Sequence, residues 1–197
     1  MLPKISRNRF LMSWLLGRLG ASRSMPTGHP PHVVFVCYGN IMRSALAELV
    51  ARRAAIDAGV GLRITSAGVQ AIEGRAADPR AMTVAREMGL SLAAHRARRL
   101  TRALVDDADF IVAMDHANEA CIVSAFPAAA RRVHLLLGPG REVADPCTGT
   151  VDDVRRSAMV IDHAVRQLVG CVAARRSVTG ESVTLRWRRL RLWSAAR

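Results

Sequence analysis

Residues 33–50 read VVFVCYGNIMRSALAELV. The first four residues form an uninterrupted apolar run, which is typical of a strand buried on both faces of a parallel sheet. From Ser44 to Ala58 apolar residues recur at helical spacing, and Gly59 follows where a glycine often ends a helix. The stretch therefore predicts a strand, a short loop and a helix, the unit from which parallel sheets covered by helices are built.

The same alternation of apolar strand and helix continues along the chain. It predicts a single α/β domain whose four-stranded parallel sheet has helices on both faces. Ligands in such open sheets bind beyond the carboxyl ends of the strands, so the loops after the strands are candidate sites. The further predicted strands are 62–65, 110–113 and 133–137, and the further predicted helices are 79–88, 116–125 and 151–173.

The loop after the first strand has the form C-x5-R-S, from Cys37 to Ser44. Five residues between Cys37 and Arg43 can curl so that successive backbone N–H groups point inward and form an anion site at the helix N-terminus. We expect Gly39 to supply the positive φ that such a curl often requires. The planar guanidinium of Arg43 can hold two phosphoryl oxygens at once, which a lysine could not do. The sequence thus predicts a phosphate-binding loop between the first strand and the first helix.

Cys37 is the candidate nucleophile in this loop, because the field that favours a phosphate also favours a thiolate. A free cysteine at a strand end is more commonly a small buried hydrophobic residue, and a bare C-x5-R string is a weak signal. The strand before the loop, the helix after it and the glycine, asparagine and serine within it strengthen the functional interpretation. They favour a cysteine that attacks phosphorus.

The segment VFVCYGNIMRSALAE, residues 34–48, closely resembles the phosphate loop and first helix of bacterial low-molecular-weight protein tyrosine phosphatases. Further motifs follow in the family's order, and several motifs in register are more specific than any one of them. The resemblance implies a protein-tyrosine-phosphatase, a phosphoric monoester hydrolase that needs no metal and no organic cofactor. The further motifs are Ser66-Ala-Gly68, His95 to Thr101, Ile111 to Asp115 with Asn118, and Ala144-Asp145-Pro146.

The resemblance also implies a two-step mechanism. Cys37 attacks phosphorus to form a phosphocysteine intermediate while Asp145 protonates the departing oxygen, and Asp145 then helps to activate the water that releases phosphate. Arg43 and the loop amides stabilise the charge on the equatorial oxygens. Taken alone, an aspartate before a proline is often only a turn residue. The predicted substrate-binding residues are Tyr38, Gly39, Asn40, Ile41, Met42 and Ser44.

Supporting residues are predicted around the loop. The hydroxyl of Ser44 could donate to the thiolate of the nucleophile, although a serine in the first turn of a helix is common on its own. In the family, the partners of the loop asparagine, here Asn40, include the residues that match Ser66 and His95. We expect Asp115, which follows the third predicted strand, to have a structural role as the cap of the next helix.

Two departures from the family pattern bear on specificity and redox behaviour. Family members acting on phosphotyrosine usually carry tyrosines after Asp-Pro, where this chain has Cys147 and Thr148, and Ile72 stands where a large aromatic residue is common. Fewer rings predict a weaker preference for aryl phosphates. Met42 occupies the position of a common loop cysteine, so the family's intraloop disulfide cannot form and Cys37 is expected to be open to peroxide.

The net charge of +13 is concentrated at the two ends of the chain. Residues 1–30 include five basic residues and no acid, residues 173–197 include seven arginines and one glutamate, and the part between them is close to neutral. We predict a basic, disordered extension over 1–30, the phosphatase domain over 31–174 and a basic tail over 175–197. We do not expect a nucleic-acid partner, but the basic tails could dock on an anionic membrane surface.

The four cysteines show no C-x-x-C spacing, which argues against a zinc knuckle or a thioredoxin-type pair. A chain of 197 residues, half of them apolar, can build a core without disulfides, so we expect free thiols and a cytoplasmic protein. The expected partner is a tyrosine-phosphorylated protein, with a bacterial tyrosine kinase as one candidate.

Two other functions fit parts of the pattern. Arsenate reductases share the fold and the loop, but they need a further cysteine pair, normally near the third helix, where this chain has Cys121 alone. A phosphate-binding regulatory module that docks through its basic tails would need the loop but no general acid. The presence of Cys37, Arg43 and Asp145 together favours the phosphatase.

Overall fold

The computed structural model describes residues 29–179. Its elements are the strands β1 His32–Cys37, β2 Arg63–Gly68, β3 Phe110–Ala113 and β4 Val133–Leu135, and the α-helices α1 Arg43–Asp57, α2 Pro79–Glu87, α3 Arg102–Asp107, α4 His116–Ala125 and α5 Val151–Thr179. The strands pair in parallel in the order β2-β1-β3-β4. The predicted four-stranded parallel α/β fold is therefore confirmed.

The strand β1 lies inside the sheet, and all six of its residues are buried. Its alternate side chains face opposite layers, as the pleat requires. Val33 and Phe35 pack in a core with residues of α1 and α5, whereas Val34 and Val36 pack in a second core with residues of α3 and α4. A third core lies between α1, α2 and α5. Helices thus cover both faces of the sheet, which explains the continuous apolar run in β1.

The carboxyl ends of the strands meet at one edge of the sheet. Cys37 at the end of β1 pairs with Gly68 at the end of β2, and Met114 follows β3 at the same edge. The segment 136–150, which follows β4, returns to this point because Val143 donates its amide to Met114 O at 2.8 Å. The loops that the sequence predicts as candidate sites therefore lie together.

Short or irregular elements depart most from the prediction. Neither the six-residue helix α3 nor the 3-10 helix Pro127–Arg132 was predicted, because neither is long enough to show a helical repeat. The strand β2 extends past residue 65 to Gly68, since it pairs with β1 along its whole length, and β4 ends at Leu135 rather than 137. Helix α5 continues past residue 173 to Thr179, the last residue that the structure describes.

Both predicted tails fall largely outside the described residues. Residues 1–28 and 180–197 lie beyond them, so the domain boundaries and the docking role of the tails stay predictions. Within residues 29–179, none of the helices combines the length and the apolar character that crossing a membrane requires. Cys37 is a buried free thiol, and Cys121 and Cys147 are exposed free thiols.

His32 opens β1 at the sheet edge opposite the phosphate loop, and its side chain is buried. Its Nε2 lies 2.8 Å from Thr65 Oγ1, and its Nδ1 lies 3.1 Å from a carboxylate oxygen of Asp107. Burial lowers the pKa of His32 and the charge of Arg63 adds to this effect, while hydrogen bonding and attraction to Asp107 oppose it. The net effect lowers the pKa, so His32 is neutral in the folded protein at neutral pH.

This environment predicts a pH-dependent stability. The unfolded chain binds a proton on His32 at a higher pH than the folded protein, so the free energy of unfolding should fall as the pH drops from about 7 to 5. One proton contributes a slope of at most ~1.4 kcal/mol per pH unit. In urea unfolding, the free energy of unfolding of His32→Asn should depend less on pH than that of the parent. A substitution at the exposed His163 should leave the pH dependence of the parent unaltered. An unaltered slope in His32→Asn would contradict the prediction.

Candidate active site

The loop between Cys37 and Arg43 connects β1 to α1 at the carboxyl edge of the sheet. Met42 is the N-cap residue of α1 and no side chain caps the first turn, so the first amides of the helix stay available to an anion. The side chain of Met42 is buried in the core between α1, α2 and α5. Only the backbone of Met42 can therefore take part in the predicted phosphate binding.

The sulfur of Cys37 lies inside this loop, and the residue is buried. Ser44 Oγ lies 3.0 Å from the sulfur, and the amide of Asn40 donates to the sulfur at 3.3 Å. Both groups can donate to a thiolate, which is the form of cysteine that attacks phosphorus. The contact between Cys37 and Ser44 that the sequence predicts is therefore present.

The left-handed residue of the loop is Asn40, with a φ of 53°, and the prediction of a positive φ at Gly39 is wrong. Asparagine tolerates this conformation because its short side chain can hydrogen-bond locally. Here Nδ2 donates to Ser44 Oγ and to Ser66 Oγ, both at 2.9 Å, and Oδ1 accepts from the amide of Arg98 at 2.9 Å. These bonds compensate for the less favourable backbone conformation of the loop.

Gly68, at the end of β2, leaves room for the backbone of the phosphate loop, a requirement that the sequence pattern does not show. A Cβ at this position would lie 2.6 Å from Tyr38 O and 2.8 Å from Asn40 N. The next two amides continue the contact by donating to the carbonyls of Cys37 and Tyr38 at 3.0 and 2.9 Å. The backbone after β2 therefore packs directly against the phosphate loop, and any side chain at residue 68 would displace the loop.

A buried polar network supports Asn40 from neighbouring elements. His95 Nε2 donates to Asn40 O at 2.7 Å, and Ser66, which accepts from the Asn40 side chain, donates to Glu48 Oε2 at 2.6 Å. Arg52 donates to the other carboxylate oxygen of Glu48 at 2.8 Å. Glu48, a buried acid in α1, was not predicted. Its position one helical turn after the serine of the C-x5-R-S motif was the available signal.

Arg43 is buried at the start of α1, and its guanidinium is held from several sides. Nη1 donates to Asp115 Oδ2 at 2.6 Å and to Val143 O at 3.1 Å, and Nη2 forms an ion pair with Asp145. Asp115 also caps α4 as predicted, because its Oδ1 accepts from the amide of Asn118 at 2.7 Å. The ion pair between Asp115 and Arg43 was not predicted.

Asp115 stays ionised in this arrangement. Burial alone would raise the pKa of Asp115, but hydrogen bonds from Asn118 and the ion pair with Arg43 outweigh it and lower the pKa. A general acid must be protonated before it can donate, so Asp115 is better suited to orienting the arginine than to proton transfer.

Asp145 lies in the segment after β4, and its side chain is about half exposed. One carboxylate oxygen contacts Arg43 and the other accepts from the amide of Cys147 at 3.1 Å. A carboxyl that lies beside the predicted phosphate clamp and is open to water can pass a proton to a leaving group and take one back. The structure therefore brings Arg43 and Asp145 together, beside the loop that carries Cys37.

Three side chains predicted to lie in or beside the loop are largely apolar. Tyr38 and Ile72 are both more than half exposed, and Ile41 is partly buried against the core between α1, α2 and α5. Cys147 and Thr148 follow Asp145-Pro146 and are exposed. In the part of the chain that the structure describes, no group of three His, Cys, Asp or Glu residues is arranged to hold a metal ion. The assembled groups can perform covalent phosphoryl transfer.

Comparisons with known proteins agree with this geometry. The family model of the low molecular weight phosphotyrosine protein phosphatases matches residues 32–179. A probable low molecular weight protein-tyrosine-phosphatase, EpsP of Ralstonia nicotianae, is 37% identical over 115 residues, which cover 58% of this chain and 77% of the relative. A protein-arginine-phosphatase of Bacillus subtilis is 31% identical over 140 residues, which cover 69% of this chain and 93% of the relative.

Solved structures show the same likeness in three dimensions. The YwlE arginine phosphatase from Geobacillus stearothermophilus superposes with a TM-score of 0.72 at 28% identity. The superposition covers 78% of this chain and 99% of that protein.

Proposed function

The chain belongs to the low molecular weight phosphotyrosine protein phosphatase family, and from this we propose that it hydrolyses phosphotyrosine in proteins through a phosphocysteine intermediate. The observation that carries the proposal is the environment of Cys37. Its sulfur lies close to the Ser44 hydroxyl and the Asn40 amide, in a loop beside the pair of Arg43 and Asp145. A nucleophile, an anion clamp and a proton donor are the three parts that the reaction needs.

In the first step, the thiolate of Cys37 attacks phosphorus and the bond between phosphorus and the tyrosine oxygen breaks. Asp145 gives its proton to that oxygen, so tyrosine leaves as a neutral phenol. The guanidinium of Arg43 and the loop amides stabilise the charge on the three equatorial oxygens. The contact of the Asp145 carboxyl with Arg43 supports this assignment, because it brings the acid next to the clamp.

In the second step, water attacks the phosphorus of the phosphocysteine and gives a proton to the Asp145 carboxylate. The bond between sulfur and phosphorus breaks, and sulfur leaves as a thiolate. The Ser44 hydroxyl and the Asn40 amide support this departure, because both can donate to the developing negative charge. Throughout the cycle Asp115 holds the Arg43 guanidinium in its orientation.

Apolar side chains in and beside the loop support tyrosine as the phosphorylated residue, with a preference weakened by the missing rings at Ile72, Cys147 and Thr148. Relatives are named as protein-tyrosine-phosphatases or as protein-arginine-phosphatases, so their names do not decide the leaving group. Tyr38 and Ile41 offer apolar surface in the loop itself, and Ile72 is exposed in the segment after β2, whose Gln70 amide donates to Tyr38 O. A phenyl ring gains free energy from burial against such side chains, whereas a guanidine would need polar partners.

Exposed arginines beside the loop support a protein substrate. Ala97 donates its amide to Arg75 O at 2.8 Å, and the amide of Arg98 donates to Asn40 Oδ1 at 2.9 Å. Arg75, Arg96 and Arg98 therefore lie near the phosphate loop, and all three are exposed. A positive rim of this kind favours a phosphotyrosine flanked by acidic residues, with a bacterial tyrosine kinase as a candidate partner.

We propose that residues 31–174 form the catalytic domain. All of the proposed catalytic groups lie between Cys37 and Asp145, within the predicted domain of residues 31–174. We propose a cytoplasmic location on the basis of the free thiols. Docking of the basic tails on an anionic membrane surface is compatible with catalysis, because the tails lie outside this set of groups.

The proposal is tested by assaying the purified protein on one peptide sequence that carries phosphotyrosine, phosphoserine or phosphoarginine, and on arsenate with a thiol reductant. We expect kcat/KM for phosphotyrosine to exceed that for phosphoserine by ~10²-fold or more, because the serine alkoxide is a much poorer leaving group. Faster hydrolysis of phosphoarginine than of phosphotyrosine would indicate an arginine phosphatase, the other activity for which relatives are named. Reduction of arsenate would indicate an arsenate reductase instead of the proposed phosphatase.

A further inference from the structure

Arg80, in the first turn of α2, is outside the proposed catalytic set but contacts the acid loop, which we define as residues 144–150. Its Nη2 donates to Cys147 O at 3.0 Å and its Nη1 donates to Gly149 O at 2.5 Å. These carbonyls follow Asp145 by two and four residues. The acid loop contains no helix or strand. Hydrogen bonds from the Arg80 side chain therefore help to fix the conformation of the acid loop.

Asp78 orients the guanidinium of Arg80. Its Oδ1 accepts from Nε and its Oδ2 accepts from Nη2, both at 2.9 Å, in the bidentate geometry of a strong charge-assisted pair. Hydrogen bonding to Arg80 lowers the pKa of Asp78 against the opposing effect of burial, so the pair is ionised at neutral pH. Asp78 also caps α2 by accepting from the Arg80 amide at 2.9 Å. The arginine is therefore held in a defined orientation by its own helix.

The same aspartate is bonded to the phosphate loop, because the amide of Asp78 donates to Ile41 O at 3.0 Å. A continuous series of bonds thus runs from the phosphate loop through Asp78 and Arg80 to the acid loop. At the end of this series the amide of Cys147 donates to Asp145 Oδ1 at 3.1 Å. The turn that Arg80 holds is therefore the turn that orients the carboxyl of Asp145.

We propose that Arg80 is a positioning residue for the general acid, holding the acid loop so that Asp145 can deliver its proton to the leaving group. The inference rests on the proposed function. Proton transfer requires hydrogen-bond distance to the leaving oxygen, and a displacement of about 1 Å can cost ~10²-fold in rate. Arg80 itself acts through the loop and contributes no group to the reaction.

The test compares phenyl phosphate, whose leaving group needs a proton, with p-nitrophenyl phosphate, whose leaving group needs it less. Arg80→Ala should lower kcat/KM for phenyl phosphate by ~10- to 10²-fold and for p-nitrophenyl phosphate by less than ~3-fold. Arg80→Lys should lie between the parent and Arg80→Ala. A lysine keeps the charge but cannot pair with Asp78 and reach two carbonyls in the same fork geometry.

A double variant shows whether Arg80 acts through Asp145. In the Asp145→Asn background no proton is left to deliver, so Arg80→Ala should cost less than ~3-fold on phenyl phosphate. Full additivity of the two losses would overturn the inference, and so would equal losses of Arg80→Ala on the two substrates. Thermal unfolding of each variant identifies any loss of folded protein, and Arg80→Lys keeps the test decisive if the alanine variant does not fold.

Arg155→Ala is the matched control. Arg155 of α5 forms a bidentate pair with Glu87 of α2 at 2.8 Å, and its described bonds go to Glu87 and Asp152 rather than to the acid loop. Both rates should stay within ~2-fold in this variant, because an exposed ion pair contributes little. An inactive parent enzyme would defeat the proposed function and this inference with it. An active parent with a leaving-group effect in Asp145→Asn but none in Arg80→Ala would defeat the inference alone.

Discussion

Replacing Cys37 by serine is expected to abolish turnover of p-nitrophenyl phosphate, with kcat falling by at least ~10⁴-fold. The hydroxyl of serine is un-ionised at neutral pH and is therefore a weak nucleophile. If a phosphate ester did form on it, the serine alkoxide would be a poor leaving group in the second step. Binding of inorganic phosphate should stay within ~3-fold of the parent, because the loop amides and Arg43 are unchanged. Initial rates measure the first effect and titration calorimetry with phosphate measures the second.

A second cysteine and a trapping experiment complete this test. Cys121 is an exposed free thiol in α4, so Cys121→Ser should leave kcat within ~2-fold. Acid quenching of the parent during turnover should yield protein with phosphate on Cys37, and Cys37→Ser should yield no phosphocysteine. Turnover by Cys37→Ser within ~10-fold of the parent would rule out the covalent intermediate.

The long elements of the fold could be predicted because burial determines their pattern directly. The run Val33–Val36 is apolar throughout because both faces of β1 are covered by helices, and the long helices show their periodicity over several turns. The short helix α3 and the true ends of β2 and β4 could not be predicted in this way. Their limits are set by pairing and packing with residues far away in the sequence.

The candidate site was predictable where its residues are consecutive. The C-x5-R-S spacing and the helix that follows it indicate an anion site without knowledge of the tertiary structure. The conformation of the loop was less predictable, because the positive φ lies at Asn40 rather than Gly39. That choice depends on partners of the Asn40 side chain in β2 and in the stretch near Arg98, which the local sequence does not show.

Contacts across the site were the least predictable part. The ion pair of Arg43 with Asp115 and the bonds from Arg80 to the acid loop join residues about 70 positions apart. Each of these side chains also has a plausible local role, as a helix cap or a first-turn residue, and a single sequence gives no sign of the second partner. The way in which the acid loop is held therefore became apparent only from the structure.

Asp145→Asn is expected to harm the first chemical step in proportion to the leaving group's need for a proton. Asparagine keeps the shape of the side chain and retains one oxygen that can accept from Arg43 or from the Cys147 amide, but it cannot donate an acidic proton. For phenyl phosphate, kcat/KM should fall by ~10²- to 10⁴-fold, the usual contribution of general-acid catalysis. For p-nitrophenyl phosphate, whose leaving group departs well unaided, the loss should be clearly smaller.

The pH dependence supplies an independent measure of the same role. In the parent, kcat/KM should fall on the alkaline side because only the protonated form of a general acid can donate. Asp145→Asn should lose this fall while keeping a measurable rate. The measurement is a series of kcat/KM values for phenyl phosphate and p-nitrophenyl phosphate across the pH range, since kcat/KM isolates the step in which the leaving group departs.

Glu142→Gln is a matched control for these measurements, because Glu142 is an acid of the same segment that bonds to the His116 amide instead of Arg43. Glu142→Gln should leave the ratio of kcat/KM for the two substrates unchanged.

Equal losses for good and poor leaving groups in Asp145→Asn would mean that Asp145 has a structural role. Asp115 could not then take its place as the acid, because Asn118 and Arg43 keep its pKa low and its carboxylate ionised. The proton would have to come from water or from the substrate, and phenyl phosphate would then be hydrolysed far more slowly than nitrophenyl phosphate even by the parent.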